Sequence, residues 1–333
     1  MSSNFKKFSL LIVFLVAAIL SGCISENTEP SEEMPADEIA VAASQSDDDD
    51  VQDARGSQAE SLPINGTGNG LKNYANNGSD VISAATTIAP LAGLISSIGG
   101  ERVEIATIIP PGAEPHTYEP TPSQMKEIAN ADIYIMNGAG LEFWMEKALL
   151  VNEDMLVVDS SKGVELLSEE GGNADPHIWL SLQNAAIQVD NICNGLIQVD
   201  SANRDYYLRN RDALLEEMKA LDREFSQTFA AKENKTFIVF HPAWSYLARD
   251  YGLVQVPIME EEKEPGPQYL ASLIDMAKKN DITTIFVDPQ FNPKSAEVIA
   301  REMNATIVVL DPLADDYLQN MRRTGEEISK SLK

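Results

Sequence analysis

The sequence predicts an α/β protein of two lobes, each with a mostly parallel sheet, joined by one long rigid helix. Two observations carry this. From residue 81 onward, short apolar runs of strand length alternate with segments of helical periodicity, and such alternation places neighbouring strands parallel. The pattern restarts at 236 after an amphipathic segment, 204–231, whose apolar residues Tyr207, Leu214, Met218, Leu221, Phe225 and Phe229 fall on one stripe. At about 1.5 Å per residue that segment makes a helix roughly 40 Å long, enough to run along two lobes.

In the first half, 81–86 reads as a buried strand, 90–98 as a short helix and 103–108 as a second strand. Thr121-Pro122-Ser123-Gln124 has an N-cap, a proline at the first helical position and a Gln at the third, a capping box that opens a helix over 122–130. Strands follow at 133–136 and 156–159, with helices at 142–150 and 183–197. The second half reads strand 236–240, helix 244–251, strand 254–258 and helix 267–279. It closes with strand 284–287, helix 294–303, strand 306–310 and helix 314–332. The resulting division is a first lobe over 81–199, a connecting helix over 200–231 and a second lobe over 232–333.

What precedes residue 81 concerns location. Lys6 and Lys7, an apolar run from 8 to 20 and small residues before Cys23 read as a secretory signal peptide over 1–22, too short for a comfortable membrane span. Leu20-Ser21-Gly22-Cys23 resembles the lipobox of prokaryotic lipoproteins, which implies cleavage before Cys23 and lipidation of its thiol. Residues 23–80 carry 13 acids against Arg55 and Lys72 and too few apolar groups for a core, so they read as an acidic disordered tether. The whole chain, 333 residues with 44% apolar content, has a net charge of −27. That excess of acids excludes nucleic acid as a partner and concentrates cations around the surface. Cys193 is the only cysteine besides Cys23, so the mature protein has no intramolecular disulfide.

Only three histidines occur, and each touches a proline: Pro115-His116, Pro176-His177 and His241-Pro242. Proline fixes its own φ and pushes the preceding residue out of helix, so all three sit on stiff, extended loops. A lone histidine is ordinarily a satisfied polar residue, but three in one context at distant points suggest convergence on one site. Three imidazoles and a carboxylate suit Zn²⁺, with Mn²⁺ or Fe²⁺ as alternatives once oxygen ligands enter. Asp311 ranks first as that carboxylate because it follows an apolar strand, where α/β sheets place ligands. Before Pro312 it could equally cap a helix or make a turn. Asp288, at a similar strand end, and Glu114, two residues before His116, are rivals.

GAEPHTYEPTPSQMKEIANAD, DPHIWL, HPAWSYLARDYGL and LDPL stand in an order and spacing that resemble the metal-binding lipoproteins of zinc and manganese ABC importers. The resemblance runs from about residue 81 to the C-terminus. It implies two α/β lobes on one rigid helix with a divalent metal in the cleft, held by His116, His177, His241 and Asp311. It also implies a protein lipid-anchored to the outer face of the cytoplasmic membrane, delivering the ion to a permease with its ATPase; a monomer is expected. Members with Glu in the third place look manganese-preferring, so His241 favours zinc. The chain departs from the family's pattern in three ways. No histidine-rich loop precedes the DPH motif, Ser181-Leu182 stands where Asp-Pro is frequent, and the cysteine pair of some members is absent.

Two other readings compete. A surface zinc hydrolase would use Glu114 as general base, but the chain has no HExxH helix. A corrinoid- or haem-binding protein would need an aromatic pocket from Trp144, Trp179 and Trp244, residues that otherwise serve as core.

Overall fold

The computed structural model describes residues 81–144, 155–168, 172–259 and 265–333. The signal peptide, Cys23, the tether, most of the expected helix 142–150, and Glu169 and Glu170 lie outside the described residues. In the first lobe the order is β1 (Ile82–Thr86), α1 (Ala89–Gly99), β2 (Val103–Thr107), α2 (Pro122–Asn130), β3 (Ile133–Met136), β4 (Leu156–Asp159) and α3 (Leu182–Val199). The connecting helix α4 is Arg204–Ala230. The second lobe runs β5 (Thr236–Val239), α5 (Ser245–Tyr251), β6 (Val254–Pro257), α6 (Pro267–Lys279), β7 (Thr284–Val287), α7 (Pro293–Met303), β8 (Thr306–Val309) and α8 (Tyr317–Ser331). Among the described residues no helix is long and apolar enough to cross a membrane.

Each lobe has one four-stranded sheet with all pairs parallel, ordered β2-β1-β3-β4 and β6-β5-β7-β8. The expected fold class is therefore present. Because side chains alternate along a strand, each sheet feeds two cores. Ile133 and Ile135 of β3 join the large central core, while Tyr134 points to a smaller cluster with Ile108, Ile128 and Trp144. In β5, Phe237 and Val239 join the central core and Ile238 joins a cluster under α6 and α7.

The central core belongs to both lobes. Tyr207, Leu214, Met218, Leu221, Phe225 and Phe229 of α4 are all buried, and they connect Leu94 and Ile192 of the first lobe to Phe237, Trp244 and Ile328 of the second. Each fully buried side chain of this kind stabilises by about 1.5–3 kcal/mol. The two sheets are thus parts of one packed body rather than beads on a hinge.

Local chemistry explains several boundaries. The capping box of α2 forms as read: the Thr121 side chain accepts from the Gln124 backbone N–H and the Gln124 side chain accepts from the Thr121 N–H at 2.9 Å. Gly252, with φ of 63°, ends α5, and Asn304, with φ of 53°, ends α7 in the left-handed conformation. Helix α8 starts at Tyr317, three residues later than the periodicity suggests, because the segment from 311 to 316 is spent on turns that hold the Asp311 loop.

Where α8 crosses α4, Gly325 lies against the Phe225 ring, and an added Cβ would meet ring carbons at 2.2 and 2.3 Å. The ring is itself held by Phe229 and Tyr251, with centroids at 5.6 and 5.5 Å. Helix propensity alone gives Gly325→Ala a gain of about 1 kcal/mol, whereas overpacking of a filled core costs roughly 1–3 kcal/mol. Urea unfolding is expected to show the variant less stable than the parent; a raised midpoint would show that the helices can part.

Candidate metal centre

Every candidate residue follows the carboxyl end of a strand: His116 after β2, His177 after β4, His241 after β5, Asp288 after β7 and Asp311 after β8. Parallel sheets present their ligand loops at that end.

His116 sits in a single 3-10 turn, Pro115–Thr117. Glu114 caps the turn, its Oε1 accepting the His116 N–H and its Oε2 accepting the Thr117 N–H, both at 3.0 Å. His177 is held the same way and more tightly. Asp175 Oδ1 accepts both the His177 backbone N–H at 2.9 Å and its Nδ1–H at 2.8 Å, with both residues buried. That second bond sets the tautomer and leaves the Nε2 lone pair facing the site. Glu114-Pro115-His116 and Asp175-Pro176-His177 are therefore one device used twice, an acid two residues ahead of the histidine with a proline fixing the turn. His241 follows β5 after one residue, its ring tilted against Phe291 at 5.0 Å and its backbone N–H turned toward the Asp288 carboxylate.

These loops bring the three imidazoles together. His177 Nε2 lies 3.1 Å from both His116 Nε2 and His241 Nε2, and one ligand atom from each residue falls within 4.8 Å of the others. Tetrahedral zinc with Zn–N bonds of about 2.0–2.1 Å spaces its nitrogens by about 3.3 Å. Two of the three pairs are already close to that spacing. The cavity the rings face holds about 20 Å³ and is lined by Glu114, Trp179, Gln290, Phe291 and Leu313 besides the histidines. That is room for one ion or water, far from the roughly 300 Å³ and more a small organic ligand requires. Trp144 and Trp244 are core residues; Trp179 is buried as well and also walls the cavity.

The carboxylates do not join the cluster in this conformation. Asp311 Oδ1 accepts from Gln290 Nε2 and from the Leu313 backbone N–H, both at 2.9 Å, which is the turn role open to it from sequence. Asp288 is buried behind His241, and both its burial and the Asp311 charge push its carboxyl well above the usual range. Glu114 is occupied as a cap. Asp175 and Gln290 carry positional roles that the sequence reading did not assign. The repeated acid-Pro-His spacing was the available signal for Asp175.

Burial lowers the His116 pKa to about 4, with the His177 charge adding to the effect. Burial, then the His177 and His116 charges, lower that of His241 to about 2. Both imidazoles are neutral at pH 7, as ligands must be. A histidine harder to protonate when folded gives stability that is complete above about pH 6.5 and is lost as pH falls toward its folded value. Glu142, raised by burial to about 7, acts in the opposite sense, so the comparison must be between variants. The stability of the metal-free protein relative to His116→Gln, from urea unfolding, is expected to fall as pH drops from about 7 to about 4. A pH-independent difference would contradict the buried, neutral imidazole.

Comparisons with known proteins point to one family. The model of the family described as ZnuA, zinc-uptake complex component A periplasmic, matches residues 85–331. The high-affinity zinc uptake system protein ZnuA of Bacillus subtilis is 31% identical over 260 residues, 73% of this chain and 82% of its own. The manganese ABC transporter substrate-binding lipoprotein PsaA of Streptococcus pneumoniae is 30% identical over 280 residues, 76% of this chain and 90% of its own. A crystal structure of ZnuA is similar with a TM-score of 0.73 at 40% identity, covering 76% of this chain and 99% of that one. With its two parallel-sheet lobes, its helical linker and this match across most of its length, the chain belongs to the ZnuA family of metal-binding solute-binding proteins of ABC importers.

Proposed function

We propose that the protein captures a divalent cation, zinc before manganese or iron, and delivers it to an ABC permease. The observation that carries this is the histidine triad, with the Nε2 atoms of His116 and His241 each 3.1 Å from that of His177, in a cavity sized for one ion. An all-nitrogen triad favours zinc, since manganese prefers more oxygen donors. In this reading His116, His177 and His241 bind first, and Asp311 becomes the fourth ligand by exchanging the Gln290 amide and the Leu313 N–H for the cation. Glu114 ranks below it because both its oxygens cap the His116 turn, and Asp288 because burial and the Asp311 charge push its carboxyl well above the usual range.

A shared core along α4 disfavours wide opening, so release to the permease depends on disturbing the ligand loops of one lobe. The chain acts from the outer face of the cytoplasmic membrane as a monomer anchored through a lipid on Cys23, with 23–80 as the tether and the lobes divided at 200–231. Binding rather than catalysis is the reading that fits. The general base a hydrolase would take from Glu114 already caps its own turn with both oxygens.

Metal analysis by mass spectrometry of protein purified without chelator is expected to find close to one zinc per chain, absent from a His116→Ala, His241→Ala double variant. Manganese or iron in its place would keep the site and change the cargo. No metal after titration with each cation would overturn the reading. Asp311→Asn is expected to weaken zinc at least tenfold, about 1.4 kcal/mol, and more than Asp288→Asn does.

A further inference from the structure

We infer that Tyr246, a second-lobe residue outside the ligand set, is the positioning residue that fixes His177 of the first lobe in register with His241. The inference rests on the reading of His177 as a ligand. Tyr246 stands on α5, five residues after His241, and is fully buried. Its hydroxyl donates to the Asp175 carbonyl at 2.7 Å and accepts the Leu167 backbone N–H at 3.0 Å. Leu167 and Asp175 are tied to each other as well, the Asp175 N–H reaching the Leu167 carbonyl at 2.8 Å, with a bridge between Ser168 and Ala174 just inside. One phenol oxygen therefore closes the base of the loop that ends in His177. Asp175 in turn grips His177 at two points.

The neighbours of Tyr246 on α5 reinforce the grip. Arg249 lies over the Tyr246 ring at 5.1 Å and donates to the Glu165 carbonyl at 3.3 Å and to Asn184 Oδ1 at 3.4 Å. Ser181, the cap of α3, donates to Asp250. His241 and this clasp share one short connection, in which the Ala243 N–H returns to the His241 carbonyl at 2.9 Å and the Ala248 N–H to the Trp244 carbonyl at 2.9 Å. A displacement of His241 is thus handed through Tyr246 to Asp175 and to His177. The two histidines, from different lobes, move as one unit.

Tyr246→Phe keeps the ring and removes the hydroxyl, leaving the Asp175 carbonyl and the Leu167 N–H without this partner. The intact protein is loaded with zinc to measure affinity by chelator competition and dissociation rate, and with cobalt to read the visible absorption of the bound ion. Tyr207→Phe is the matched control, since it loses a buried hydroxyl bond of 2.7 Å to Asp200 at the start of α4. Expected for Tyr246→Phe are zinc binding about tenfold weaker, mostly through faster dissociation, and a shifted cobalt spectrum, with Tyr207→Phe unchanged in both. Arg249→Met, at a partly exposed position, is expected to move the same readings less and guards against a folding defect in the first variant. Parental affinity and spectrum in Tyr246→Phe, whatever its melting temperature, would overturn the inference. If the parent itself takes no metal, the ligand reading fails first, and that result is distinguishable because it needs no variant.

Discussion

A site whose ligands come from two sheets works only if the sheets are held in one register, and that constraint governs the rest of the molecule. Ligand geometry must be kept to about 0.5 Å. The stripe on Arg204–Ala230 meets the demand by making one core of two lobes, with Phe225 and Phe229 packed among Tyr251, Gly325 and Ile328 at one end and Tyr207 and Leu214 serving the first lobe at the other. Had α4 packed on one lobe alone, the apolar residues that the other lobe's helices turn toward it would be exposed. The long helix is therefore a structural necessity of the shared core before it is a spacer.

Within that frame the loops solve an electrostatic problem. Three imidazoles packed this closely cannot all be charged, and burial removes the charge from His116 and His241 well below neutral pH. Donors already gathered around one point need little rearrangement on binding, so little of the binding energy is lost to ordering. The acidic excess of the chain raises the local concentration of any cation. The two acids nearest to His116 and His177 in sequence are spent on backbone N–H groups and, for Asp175, on Nδ1–H. They shape the ligands instead of joining them.

Much of this was legible in the sequence, and for identifiable reasons. Strands 133–136 and 284–287 and helices 122–130 and 267–279 stand where periodicity, caps and prolines put them, because local signals and tertiary packing agree there. The three histidines announced themselves by scarcity and by their shared proline context. The carboxylates were harder. Asp311, Asp288 and Glu114 each follow or precede the right kind of element, but which oxygen faces the cavity depends on side chains far away in sequence. Gln290 takes Asp311, and the surrounding packing buries Asp288. Tyr246 was invisible for the same reason, since its partners Asp175 and Leu167 lie 71 and 79 residues away. Ser181, read as a departure from the family's pattern, turns out to cap α3 and bond Asp250, a contact between lobes that composition cannot show.

The four donors named for the site differ in how firmly they are held, and that difference orders what can move. His177 is fixed by two bonds to a buried carboxylate. His241 is buried with its ring against Phe291, and His116 is held by the capped turn at Glu114. Displacing His177 breaks buried hydrogen bonds, each costing about 1–3 kcal/mol when left unsatisfied. Asp311 is held differently. Its Oδ1 accepts from one side-chain amide and one N–H in a partly exposed loop, and both donors can turn to water when it leaves. The low-cost coordinate at this centre is thus the Asp311 carboxylate. A rigid body with one replaceable oxygen donor can hold a cation tightly through three nitrogens and still give it up without opening a hinge.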